Sequence, residues 1–99
     1  MPIYQIARYQ VRREAVAKCE EAIKAFVAYV RANEPRTLQY TSWQATGDPT
    51  QFVHIFIFAD QAAHDEHSNS QAVKQFADLL YPECLAPVEF TEYSLVAEK

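Results

Sequence analysis

The 99-residue chain contains one glycine, Gly47, one methionine and two cysteines. A loop that cradles phosphates or a dinucleotide needs several glycines, so that backbone can approach the pyrophosphate closely. A single glycine therefore excludes a nucleotide, NAD or flavin motif of the usual kind. Cys19 and Cys84 stand at no metal-ligand spacing and are expected as free thiols. Long apolar runs are missing too: none approaches the ~18 residues that cross a bilayer. The opening MPIYQIARYQ has neither a basic leader nor a small-residue cleavage site, and a cytoplasmic location with no membrane partner is expected. Positive charge is also scarce. Nine Lys and Arg against thirteen Asp and Glu give a net charge of -4, and only Arg12 and Arg13 are adjacent. Binding to a phosphate backbone needs a basic patch, so nucleic acid is not expected as a partner.

Apolar material is plentiful. Hydrophobic residues make up 49% of the chain and aromatics 13%, while a chain of this size buries only a little over ~60% of its extended surface. That surplus is expected to be hidden between two copies, as a homodimer.

Residues 2 to 10, PIYQIARYQ, alternate as a strand. From Arg13 the period lengthens: Val16, Cys19, Ile23, Phe26, Val27 and Val30 mark one face of a helix of about five turns that ends before Pro35. TLQYTSWQA and FVHIFIFA read as two strands joined at TGDPT, a hairpin over 37 to 59. The second of these is apolar on both faces, with Phe52, His54, Phe56 and Phe58 on one and Val53, Ile55 and Ile57 on the other. Asp60 caps a short helix through His67, and Ser70 starts a longer one carrying Val73, Phe76, Ala77 and Leu80. VEFTEYSLVA supplies a fourth strand. The order β-α-β-β-(α)-α-β predicts a single α+β domain over 1–99, the ferredoxin-like arrangement of a four-stranded antiparallel sheet with helices on one face. The open face, apolar along the third strand, is best covered by a second copy, sheet to sheet, as a dimeric α+β barrel.

DQAAHDEHSNS, residues 60 to 70, concentrates the candidate chemistry. His64 and His67 are three apart and share roughly one helix face, but no third ligand is fixed by the spacing, and no metal is expected. His67, at the end of its helix, is placed where an imidazole can reach the space between helices and sheet and act as a base near neutral pH. His54, inside an apolar strand, reads as a structural histidine. Tyr40, Trp43, Phe52, Phe56, Phe58 and Phe76 are candidates to line a flat apolar pocket for a planar ring, with His54 among them. No nucleophile with base and orienter can be assembled: Cys19 is mid-helix and there is no G-x-S-x-G.

Three stretches, EPRTLQY at 34 to 40, DPTQF at 48 to 52 and DQAAHDEH at 60 to 67, resemble the antibiotic biosynthesis monooxygenase domains, particularly the small quinol monooxygenase-like members. The resemblance runs through nearly the whole chain and implies the dimeric α+β barrel already read from the pattern. It also implies oxidation of a phenolic or hydroquinone-type aromatic substrate by molecular oxygen, with no cofactor. The substrate is deprotonated by one base and then itself reduces oxygen. The histidine that follows D-x-A-A by three residues maps onto His67, which the resemblance makes the catalytic base.

Two positions depart from the family pattern. Arg36 stands where Glu-Pro-Gly-Thr-Leu has glycine, and Phe56 where many relatives carry a glutamate. The same pocket also suits a non-catalytic small-molecule-binding module or a lactone isomerase using the same base without oxygen. A haem-degrading protein would need an axial ligand on the long last helix, and no histidine follows His67.

Overall fold

In the computed structural model, which describes residues 1–99, the chain forms strand β1 (Ile3–Gln10), helix α1 (Val16–Asn33), strands β2 (Thr37–Gln44) and β3 (Gln51–Phe58), helices α2 (Gln61–Ser68) and α3 (Gln71–Leu80), and strand β4 (Glu89–Tyr93). The strands make one antiparallel sheet in the order β2-β3-β1-β4, with the helices packed on one face. This is the expected α+β ferredoxin-like arrangement.

Each helix begins where the local chemistry allows. The Asp60 carboxylate accepts the Ala63 backbone N–H at 2.9 Å, and the Ser70 hydroxyl accepts that of Val73 at 3.1 Å, so both short helices carry a side-chain cap. Helix α1 has none. It follows a single 3-10 turn at Arg13–Ala15 and draws its stability from the buried stripe Cys19, Ile23, Phe26 and Val30. The chain leaves α1 at Glu34, before Pro35. Arg36 adopts no positive φ, so the glycine of the family pattern is not needed for backbone freedom at this position. Its guanidinium instead reaches Asp60 at 2.6 Å and Glu66 at 3.2 Å, tying the turn to α2.

Alternation along β3 divides the sheet into two chemical faces. Phe52, His54, Phe56 and Phe58 are buried under the helices, while Val53, Ile55 and Ile57 lie half-buried on the other side. One cluster under the helices joins Tyr9, Val11, Cys19, Ile23, Phe52 and Leu80, and a second joins Ala7, Phe56, Phe58 and Ala63. Fully burying a side chain such as Phe58 or Leu80 contributes about 1.5–3 kcal/mol. Helices α1 and α3 meet through Phe26 and Phe76, stacked with ring centroids 4.5 Å apart. Beyond α3, the Glu83 carboxylate bonds Arg12 Nε at 2.5 Å and Lys18 Nζ at 2.7 Å, which lowers its pKa to about 2. That clasp, with the Arg12 N–H to Glu83 carbonyl bond, fastens the end of the helical layer to the β1–α1 junction.

One detail differs from the sequence reading. The fourth strand ends at Tyr93 rather than running on through Ala97, because its partner β1 is nearly used up there: Tyr4 pairs with Tyr93, and only Ile3 precedes it in the strand. At the hairpin, Gly47 adopts no positive φ and a Cβ added to it meets nothing within 4 Å. Asp48 builds that turn instead, accepting from the Thr50 N–H at 3.0 Å, the Thr50 hydroxyl at 2.6 Å and Gln51 Nε2 at 3.0 Å. No helix is long and apolar enough to cross a membrane.

Candidate active site

Between the covered sheet face and the helices lies a cavity of about 260 Å³. Its wall includes Tyr9, Tyr40, His54, Phe56, His67 and Phe76, so β1, β2, β3, α2 and α3 all contribute. A wider groove of about 1030 Å³, lined in part by Arg8, Trp43 and Glu89, opens directly to solvent. It contains no histidine and cannot keep water from a reacting atom, so the smaller cavity is the better chemical site.

His67 is 8% exposed, at the C-terminal end of α2. Its Nδ1 lies 2.7 Å from Glu34 Oε1, which also accepts the Thr37 hydroxyl at 2.9 Å. Glu34 follows the last turn of α1, where Pro35 forces the chain away, and so reaches across to α2 from another element. When Nδ1 donates to this carboxylate, the lone pair rests on Nε2, which makes no hydrogen bond within the chain. Rings of Phe26, Tyr40, Phe56 and Phe58 surround the imidazole at centroid distances of 5.2 to 6.3 Å. The carboxylate thus orients the imidazole in an aromatic wall, the arrangement by which an acid residue positions a histidine ring. Glu34 Oε2 is buried with no partner, so nothing else in the chain competes for its charge on that side.

His54 differs sharply. It is 2% exposed and lies between two phenols, with Tyr9 Oη 2.7 Å from Nε2 and Tyr40 Oη 2.9 Å from Nδ1. Burial lowers its pKa to about 4, so the ring is neutral at pH 7. Burial also pushes both phenols well above the ordinary tyrosine range. The three groups form one neutral hydrogen-bonded row across the sheet.

Of the residues singled out from the sequence, Tyr40, His54, Phe56, Phe76 and His67 meet at this cavity. Phe58 does not reach its wall. It is fully buried and packs behind the imidazoles of His64 and His67. Trp43 is not brought to the cavity at all. It pairs with Val53 while Tyr40 pairs with Phe56, so it belongs to the opposite, open face and is 57% exposed. His64 turns to Gln61 and Asp65, and no three His, Cys, Asp or Glu side chains converge as metal ligands. Two members of the site were not singled out from the sequence, Glu34 and Tyr9. Glu34 opens the EPRTLQY stretch, and Tyr9 shares the covered face with Ala7 by strand parity.

Comparison with known proteins agrees with this architecture. The family model described as antibiotic biosynthesis monooxygenase matches residues 2–79. No curated protein matches the chain. Among solved structures, a crystal structure of an antibiotic biosynthesis monooxygenase is 23% identical with a TM-score of 0.89, covering 96% of this chain and 99% of that one. PA3566 from Pseudomonas aeruginosa is 26% identical with a TM-score of 0.85, covering 97% and 95%. Rv0793 from Mycobacterium tuberculosis is 20% identical with a TM-score of 0.88, covering 99% and 98%. With the family model matched over most of its length and the same fold recurring in these structures, the chain belongs to the antibiotic biosynthesis monooxygenase family.

Proposed function

We propose that this chain is a cofactor-independent monooxygenase that oxidises a phenolic or hydroquinone-type aromatic with molecular oxygen, His67 acting as the base. The observation that carries the reading is the His67–Glu34 pair beside an aromatic cavity. In this scheme His67 Nε2 takes the phenolic proton, and Glu34 stabilises the imidazolium that forms. The phenolate, electron-rich and sheltered from bulk water, transfers electrons to oxygen. One oxygen atom ends on a ring carbon as a new hydroxyl. The other leaves as water, taking up the two hydrogens that the hydroquinone loses in becoming a quinone. One hydroquinone and one dioxygen thus balance against one hydroxyquinone and one water. An engineered apolar cavity of about 150 Å³ accepts benzene. At about 260 Å³ the present site suits a one- or two-ring substrate.

Oxygen uptake by chelator-treated protein with one- and two-ring hydroquinones tests this. His67→Ala is expected to lower uptake at least tenfold, about 1.4 kcal/mol of barrier. Equal uptake in the variant, or none above background with any substrate, sinks the reading. Phe56 favours a second reading, a non-catalytic binding module. It fills the family's glutamate position with a ring stacked on Tyr40 at 5.2 Å, and ligand binding without oxygen uptake would support that role.

The same proposal includes a homodimer. Only 17 of the 99 residues are buried in the single chain, and the open face presents Val53, Ile55 and Ile57 beside Tyr4, Ile6 and Trp43. A second copy laid sheet to sheet covers this apolar row with its equivalent. Light scattering should give twice the chain mass, and Ile55→Lys should give the monomer. A monomeric wild type would rule the dimer out.

A further inference from the structure

The row Tyr9–His54–Tyr40 holds one more proton than its internal bonds consume. Each phenol carries one and the neutral imidazole carries one, giving three donors, yet the row contains two hydrogen bonds. Whichever tautomer His54 adopts, one phenol donates to the bare ring nitrogen and the other accepts from the ring N–H. The accepting phenol keeps its own O–H unspent. With Nε2 protonated the spare donor is Tyr9; with Nδ1 protonated it is Tyr40. Both phenols line the cavity, where neither has another protein partner in reach. The row thus keeps one O–H free to face the cavity, where an entering acceptor can complete it.

The geometry points to Tyr40 as a hydrogen-bond donor to an acceptor oxygen, carbonyl or phenolate, of an aromatic ligand, with His54 and Tyr9 behind it as positioning residues. Two observations select the Tyr40 end. Tyr9 is 8% exposed, whereas Tyr40 is only half-buried. The Tyr40 ring also lies 5.7 Å from that of His67, so donor and base meet one ligand from neighbouring positions. The ligand then carries at least one oxygen that accepts from Tyr40, and in the substrate a second that gives its proton to His67. This assignment rests on the proposed function for where the ligand sits, but not on any reaction with oxygen.

A ligand accepting from Tyr40 must draw the His54 proton to Nδ1, and this is measurable. The probes are 1-tetralone, a two-ring ketone, and tetralin, its hydrocarbon twin without an acceptor. Nitrogen-15 NMR of the full chain labelled at histidine is expected to show His54 as the Nδ1–H form on saturation with 1-tetralone and no such change with tetralin. Tyr40→Phe should weaken 1-tetralone by about tenfold and leave tetralin unchanged. Tyr9→Phe removes the Nε2 partner from both tautomers and would leave an Nε2–H buried without an acceptor, so the Nδ1–H form should persist in its 1-tetralone complex. The assignment is overturned by 1-tetralone binding without a change of tautomer, by equal weakening of both probes in Tyr40→Phe, or by failure of both probes to bind. An absence of oxygen uptake together with the tautomer response would refute the oxygenase alone.

Discussion

Acid should unfold this protein through His54 before it does so through any carboxylate. The ring is sealed in the sheet with a pKa of about 4, lowered by burial from the ordinary 6.5. Above pH 6.5 it is neutral in both folded and unfolded chains, and its titration contributes nothing to the pH dependence of stability. Between 6.5 and 4 the unfolded chain takes up a proton that the folded one refuses, so stability falls as pH falls. At ~1.36 kcal/mol per pH unit the gap amounts to about 3 kcal/mol by pH 4, a large part of the 5–15 kcal/mol of an ordinary domain. His54→Gln cannot take up that proton. At pH 7 it should be less stable than wild type by about 1–3 kcal/mol, having lost the fitted bonds to Tyr9 and Tyr40. That deficit should shrink toward pH 4 as wild type loses its margin. Urea denaturation at fixed protein concentration across this range gives the difference directly, and contributions from the carboxylates cancel because both proteins contain them. Parallel curves for the two proteins, or a His54 ring that titrates near 6.5 by NMR in the folded state, would refute the reasoning.

Phe58→Ala should cost about 3–5 kcal/mol, since Phe58 is fully buried behind His67; thermal unfolding would show a large fall in Tm. Gly47→Ala should stabilise by about 0.4–1 kcal/mol, because the native φ is not positive and the site has room for a methyl group. A lower Tm in that variant would mean that the turn, not Asp48, depends on the glycine. Glu34→Gln should reduce kcat about tenfold or more with KM little changed, as the oriented imidazole loses its counter-charge. An effect confined to KM would recast Glu34 as a binding group.

The fold was readable in the sequence because its signals are local. The change of period at Arg13, the caps at Asp60 and Ser70 and the two-faced alternation of β3 each lie within a few residues of one another. The site was readable only in part, since its key pairs are remote: Glu34 meets His67 across 33 residues and Tyr9 meets His54 across 45. Such pairings depend on sheet register and helix placement, which no local pattern fixes. Trp43 is a different case. It stands three residues from Tyr40 on one strand, and an odd spacing already places the two on opposite faces. Sharing a ring chemistry was not enough to make them share a site.

The place of β1 has a consequence for how the chain comes off the ribosome. Strand β1 is synthesised before both of its partners and sits inside the sheet, between β3 and β4, and its ladder with β3 joins Ile3 to Phe58 and Gln10 to Gln51. At about 5–20 residues per second, β1 and the apolar face of α1 wait some seconds for a partner, while the β2–β3 hairpin can close as soon as it emerges. Until β3 emerges, β1 therefore stays an unpaired strand, and substitutions that make it stickier should lower the yield of folded protein.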